Sequence, residues 1–235
     1  DIFVYKIAEQ TSEQITNDVY DDVDASFVAF PNKTGIIFSS NRPSAKASRA
    51  DTSIPSRNHF NIFLVDNWTK SEFRQITQLT NQKYGQARFP LQYNVNHFTF
   101  VSDASGIGNR YAGFFSTKKD GLDTIYKVGD EYLRNPIPKE LDSTLKAFKK
   151  TEPDSIGFIS ISNDSTYVFP ITNYESGLQE SRGAGDNNLV SEVRQEGDMK
   201  FLYKLKVNDA ALLRRNINAR PTAYVKKLID DEKKA

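Results

Sequence analysis

The chain has 235 residues, 38% of them hydrophobic, and 31 Lys plus Arg stand against 30 Asp plus Glu for a formal net charge of +1. That balance removes the electrostatic case for nucleic acid or an anionic membrane as the main partner, and the apolar runs fall far short of the roughly 20 residues a membrane-crossing helix needs. No cysteine is present, which excludes a disulfide framework, a thiolate zinc site and a cysteine nucleophile, and the length suits one sizeable all-β domain.

The chain opens directly on a strand, Asp1-Ile2-Phe3-Val4-Tyr5, with neither initiator methionine nor apolar leader, which gives the expectation of a piece cut from a longer protein. Residues 1 to 16 read as a strand, a turn around Glu9 to Ser12 and a short strand ending at Ile15, the outer half of one sheet. The alternation Val23, Ala25, Phe27 predicts an inner strand, and Gly35-Ile36-Ile37-Phe38-Ser39-Ser40 a second after the turn Pro31-Asn32-Lys33-Thr34. Ser44 to Asn58 is serine-rich and aperiodic, so 43–59 is expected to be a long loop, with Lys46, Arg49 and Arg57 at a solvated tip. Phe60 to Val65 and Phe73 to Leu79 complete that sheet. A third unit begins at Gln86-Ala87-Arg88-Phe89, aligned with Asp24-Ala25-Ser26-Phe27. It continues at His97-Phe98-Thr99-Phe100-Val101-Ser102-Asp103, aligned with Gly35 to Asn41, and both alignments share one offset, since 87 − 25 and 100 − 38 each give 62.

Beyond this the pattern loosens. Pro138 to Lys150 predicts a helix, because Leu141, Leu145 and Phe148 fall at i, i+4 and i+7 and Pro138 suits a first turn; it is expected to pack on a rim. Ser155-Ile156-Gly157-Phe158-Ile159-Ser160 and Thr166-Tyr167-Val168-Phe169 read as a strand pair joined by a turn at Asn163-Asp164-Ser165, and Lys200 to Val207 as a further strand. In the tail, 208–235, Asn208 can cap a helix through Arg215, and Pro221 can start another with an apolar stripe of Val225, Leu228 and Ile229. This tail is expected either to dock on a rim or to link into a further domain.

Four stretches resemble one another: Val4-Tyr5-Lys6-Ile7, Phe63-Leu64-Val65-Asp66, Ile125-Tyr126-Lys127-Val128 and Leu202-Tyr203-Lys204-Leu205. Gln14-Ile15-Thr16-Asn17-Asp18 is similarly matched by Gln78-Leu79-Thr80-Asn81-Gln82. Repeats tens of residues apart mark arrays, and units of four strands point to a β-propeller. The run Asp1 to Tyr5, Gln14 to Asp18, Asp21-Asp22-Val23-Asp24-Ala25-Ser26-Phe27 and Gly35 to Arg42 resembles the repeat of TolB-like propellers, also called the WD40-like or PD40 repeat. The likeness is good over 1–42, partial over 60–104 and weak beyond. Where the family carries Ser-Pro-Asp-Gly between inner strands, this chain has Phe30-Pro31-Asn32-Lys33-Thr34-Gly35. The resemblance implies a mainly β fold of four-stranded antiparallel blades over 1–207, about three to four of them, with the rest of a larger propeller in the parent protein. It further implies an exported, non-catalytic protein-binding module of the Gram-negative periplasm or cell envelope. The same repeat accompanies peptidases, so an accessory propeller that gates substrate for a larger hydrolase is the alternative. No interface residue of the family carries across to a position here.

There is no Gly-x-Ser-x-Gly, and the two histidines, His59 and His97, sit at a loop end and a strand start. Asp18, Asp21, Asp22 and Asp24 can offer oxygens to calcium but lack EF-hand spacing, so they read as turn-capping residues. Arg182-Gly183-Ala184-Gly185-Asp186 lacks the lysine of a phosphate loop and reads as a hairpin tip; Ser162 to Thr166 holds part of a sialidase-type Asp-box and reads as a β-turn. No cofactor is implied. A glycan-binding propeller needs exposed Trp or Tyr in a groove, which the single Trp68 makes less attractive; most of the 16 Phe and 11 Tyr are expected between sheets.

Overall fold

The computed structural model describes residues 1–31, 33–47, 59–66, 68–69, 74–185, 188–214 and 217–234, with backbone alone at 115–120, 161–164, 209 and 214. The expected positions Asn32, Arg49, Arg57, Phe73, Asp186 and Arg215 lie outside the described residues. The protein is mainly β, built of several antiparallel sheets with three helices among the described residues. It divides into two compact units, one of Asp1–Phe115 with Thr166–Ala235, the other of Ser116–Ser165.

Four sheets follow in chain order, of which the third includes strands from both units. Sheet one is β1 (Phe3–Lys6) and β2 (Thr11–Gln14); sheet two is β3 (Asp22–Phe30), β4 (Lys33–Ser40), β5 (Asn61–Asp66) and β6 (Gln75–Gln78), each paired with the next. Sheet three runs β7 (Ala87–Gln92), β8 (Phe98–Ser102), β9 (Asn109–Val128), and after β10 (Glu131–Arg134) it is joined by β11 (Ser155–Pro170), which pairs with β9. Sheet four is β12 (Leu178–Gly183), β13 (Leu189–Glu196) and β14 (Met199–Lys206).

Strands β4 and β5 are covered on both faces, which is why Ile36-Ile37-Phe38 and Ile62-Phe63-Leu64-Val65 read as unbroken apolar runs. Successive side chains point to opposite faces, so Ile36, Phe38, Phe63 and Val65 pack on Ile2, Val4 and Ile15 of sheet one. Ile37, Ile62 and Leu64 pack on Ala87, Phe98 and Phe100 of sheet three. A third cluster joins Tyr93, Ala112 and Phe169 of sheet three to Val190 of sheet four.

One hydrogen-bond arrangement recurs three times. The amide of Ile2 donates to Thr16 Oγ1 (2.9 Å), that of Ile62 to Thr80 Oγ1 (2.8 Å) and that of Arg110 to Thr172 Oγ1 (2.8 Å). The preceding Asp1, Asn61 and Asn109 use Oδ1 to accept from the amides of Asp18, Gln82 and Tyr174, two residues beyond each threonine. The side chains of those three residues then reach the following sheet. Asp18 accepts from Arg42 at 2.9 Å, Gln82 from Ser102 at 2.5 Å, and Tyr174 donates to Glu192 at 3.2 Å.

This arrangement corrects the sequence alignment. Ser40 faces Asn61 and Ser102 faces Asn109, so the offset of 62 holds for β4 and β8 (102 − 40). Asp22 faces Ser40 and Ala87 faces Ser102, however, so the first strands align at 65 (87 − 22). Phe3 corresponds to Phe63, since their partners are Gln14 and Gln78. Ile125-Tyr126-Lys127-Val128 does not occupy the equivalent place: it pairs with β10 in the second unit. Residues 155–170 form one strand of sheet three, with no turn at Asn163-Asp164-Ser165, because β11 stays paired along β9 between the bonds Ile171 N to Arg110 O and Asp154 N to Lys127 O.

The helices α1 (Pro138–Ala147), α2 (Asp209–Arg214) and α3 (Ala223–Glu232) complete the described elements. In the second unit, Pro138 sits in the first turn of α1 and Leu145 is buried; Phe148, just past its end, packs on Gly129 at the β9–β10 turn. In the first unit, Asn208 caps α2 by accepting from Ala210 N, and Ala211 and Leu212 enter the core between sheets three and four. Thr222 caps α3 while its own amide donates to Ser105 O. The far end of α3 is held by Glu232, which accepts from Tyr84 (2.6 Å) and pairs with Lys83.

Two outcomes are expected. Thr80→Val strands the buried amide of Ile62, so denaturant unfolding should show a loss of about 1–3 kcal/mol, with Thr80→Ser losing less. The hydrogen bonds from Lys83 and Tyr84 hold the Glu232 carboxyl below its ordinary value. Its contribution to docking α3 is therefore full above the usual carboxylate range and is lost as pH falls through the lowered value. In a pH titration followed by NMR the α3 amide resonances should move toward undocked positions over that window, and Glu232→Gln should flatten the dependence.

Candidate functional site: a cleft beside three first strands

The first strands of sheets two, three and four converge on one carboxylate. Both β3 and β7 carry a bulge near their start, and Asp24 and Phe89 take the left-handed backbone there, at φ 56° and 57°. A phenylalanine in that region is strained. Asp24 offsets the strain by accepting from Phe89 N at 3.1 Å, from Ser39 Oγ at 3.1 Å and from Arg88 Nε at 2.6 Å. Arg182 of β12 lies 3.6 Å away, and the guanidinium groups of Arg88 and Arg182 each sit 5.0 Å from the Phe89 ring centre.

Beside this cluster, between the starts of β7 and β12, lies a cleft of about 600 Å³. Arg88 and Phe89 enter its wall from β7 with Gln86 just before it, Asp103 from the turn after β8, Gln179 and Gln195 from sheet four and Glu175 from the segment before β12, while Val101, Ile107 and Leu178 add apolar surface. Its base is fixed by Gly108, whose carbonyl accepts from Leu178 N at 2.9 Å; a Cβ there would lie 2.1 Å from Leu178 O, so only glycine permits the approach. Asp103 Oδ1 accepts from Gln86 N at 2.6 Å. Burial pushes the nearby Tyr111 hydroxyl up, and the charge of Asp103 adds to the effect. Glu175 is exposed.

A second polar network joins the two sheets through the core. Arg110, 1% exposed at its side chain, holds Glu192, 0% exposed, at 2.6 Å and donates to Ser181 Oγ at 2.7 Å. Glu192 also accepts from Tyr174 and from Arg194, whose guanidinium stacks 4.0 Å from the Tyr174 ring centre. Burial raises the Tyr174 hydroxyl, reinforced by the adjoining Glu192 charge.

The four aspartates read from sequence as turn-capping residues able to offer oxygens to calcium separate. Asp18 and Asp22 come together with Asp1, their oxygens within 4.8 Å of one another. Arg42 lies against this group, 2.9 Å from Asp18 and 2.8 Å from Asp22, with its side chain wholly buried. Asp21 instead bonds Asn41, and Asp24 belongs to the cluster above. His97 bonds Asn94 and packs on Phe114; His59 lies 3.5 Å from the Asn61 amide. Trp68 is half-buried against Phe27. Arg182 and Gly183 end β12, with Ala184 and Gly185 entering the turn to β13.

Sequence reasoning missed the cleft and the third Thr-Asn pair. The signal for the latter was present, since Ile171-Thr172-Asn173 repeats Ile15-Thr16-Asn17 and Leu79-Thr80-Asn81. Compared with known protein families, curated proteins and solved structures, the chain has no match.

Arg42 already supplies the counter-charge for Asp18 and Asp22, so calcium should add no stability. Thermal unfolding in millimolar calcium and in chelator is expected to superimpose; a midpoint raised by calcium and abolished in Asp22→Asn would show that the acidic group binds it.

Proposed function

We propose that the four sheets are successive blades of a TolB-like, PD40-type β-propeller that serves as a non-catalytic protein-interaction module of the cell envelope. The observation that carries this reading is the recurring threonine arrangement, in which each sheet is tied at the same point and hands a side chain to the next. Face-to-face packing through three apolar clusters supports it as well, because blades bury their faces against their neighbours.

The interaction role draws on exposed apolar surface. Phe3 and Tyr5 are 62% and 59% exposed, whereas Phe63 and Val65, which hold the equivalent positions in sheet two, are 0% and 1% exposed. An apolar face left bare on a β-sheet marks a place for another polypeptide.

Affinity capture of the full-length protein from envelope fractions after mild cross-linking tests the proposal. A protein partner retained in fixed ratio, with no turnover of ester or peptide substrates, is expected. Recovery of no partner together with hydrolytic turnover would favour the accessory domain of a hydrolase instead.

A further inference from the structure

We propose that the cleft between β7 and β12 receives a cationic side chain, an arginine or lysine carried on a partner polypeptide. This rests on the protein-interaction reading and adds the chemistry the partner must present.

Arg88 is the cation on the cleft wall, and its guanidinium is already committed to Asp24, through Nε at 2.6 Å and Nη2 at 3.4 Å. Asp24 is 6% and Arg88 27% exposed at the side chain, so the pairing is partly shielded from water, and its hydrogen bond is charge-assisted. Two carboxylates, Asp103 and Glu175, are left on the walls, and among the described residues no Lys or Arg lies within ion-pair distance of either. One Asp103 oxygen takes the Gln86 amide; Glu175 forms no hydrogen bond with a described residue.

The other polar groups suit the same guest. The carboxamides of Gln86 and Gln179 can each turn an oxygen toward an N–H donor, while Gln195 donates to Gly197 O at 2.6 Å and accepts from Gln179 at 3.4 Å. A guanidinium or ammonium group offers donors and no acceptor, so it matches the two carboxylates, while its aliphatic stem suits Val101, Ile107 and Leu178 on the same walls. An anion would meet two carboxylates, and an apolar side chain would leave both without a counter-charge. At about 600 Å³ the cleft takes one long side chain with part of its backbone.

The test is a titration of the ¹⁵N-labelled protein with the peptide Ac-Gly-Arg-Gly-NH₂, with its citrulline counterpart of the same shape and no charge, and with calcium chloride alone. Saturable shifts are expected for the arginine peptide at Gly106, Gly108, Glu175 and Gln195, weakening with salt, with none from citrulline. Glu175→Gln and Asp103→Asn should each weaken binding about five- to tenfold, whereas Glu140→Gln on α1 should not change it. Asn retains the acceptor that holds Gln86, and unchanged amide spectra will confirm that the variants fold. Equal binding of citrulline, no saturable shift, binding undiminished in both variants, or calcium displacing the peptide from these residues would each overturn the proposal. Partner capture that persists in Glu175→Gln and Asp103→Asn would sink this inference alone and leave the interaction module standing.

Discussion

The structure depends on a threonine hydroxyl placed where a strand leaves its sheet. At Ile2, Ile62 and Arg110 the neighbouring chain turns away, and the amide of each would be buried without the carbonyl a continuing ladder supplies. Thr16, Thr80 and Thr172 provide that acceptor. The Asx residue just before each amide catches the chain two residues past the threonine, as short polar side chains do at turns. The exit direction is thereby set, and the next residue contact falls on the following sheet.

Apolar packing alone would allow neighbouring sheets to slide, since dispersion and hydrophobic burial have little direction. Buried ion pairs supply registry. Arg42 locks to Asp18 behind sheet one and to Asp22 at the start of sheet two; Arg110 of sheet three locks to Glu192 of sheet four. Such pairs cost desolvation and add little net stability, but losing one partner leaves a buried charge at a cost of about 3–5 kcal/mol. Their contribution is therefore to relative position. The two joints use different residues for the same purpose, which is why no shared motif betrays them in the sequence.

What could be read in the chain follows from what repeats. Strand alternation and apolar runs located β3, β4, β5, β7 and β8, because each must bury a defined face. The Tyr-Lys pairs misled, since aromatic and long-chain residues alternate on many half-buried strands: Tyr126-Lys127 lies in the second unit, where β9 and β11 extend past the sheet. That extension separates Asn109 from Thr172 and hides the third copy of an arrangement visible in the first two. The cleft was illegible for a different reason. Gln86, Asp103, Glu175 and Gln195 are ordinary surface residues in sequence, and only the close approach of Gly108 to Leu178 brings them to one opening.

The strained residues beside that opening connect fold to site. The bulge at Asp24 and the bulge at Phe89 occupy equivalent positions, yet the two side chains do opposite work. Asp24 fits the left-handed region tolerably because Asp is among the residue types enriched there, whereas Phe89 needs outside support. Asp24 gives it, holding the Phe89 amide and the Arg88 guanidinium together. A bulge turns successive side chains out of their regular alternation, so Arg88 and Phe89 both reach the cleft wall instead of lying on opposite faces. The carboxylate of one sheet thus sets the backbone of the next and absorbs the positive charge of its wall, leaving the acceptors of Asp103 and Glu175 as the cleft's unanswered chemistry.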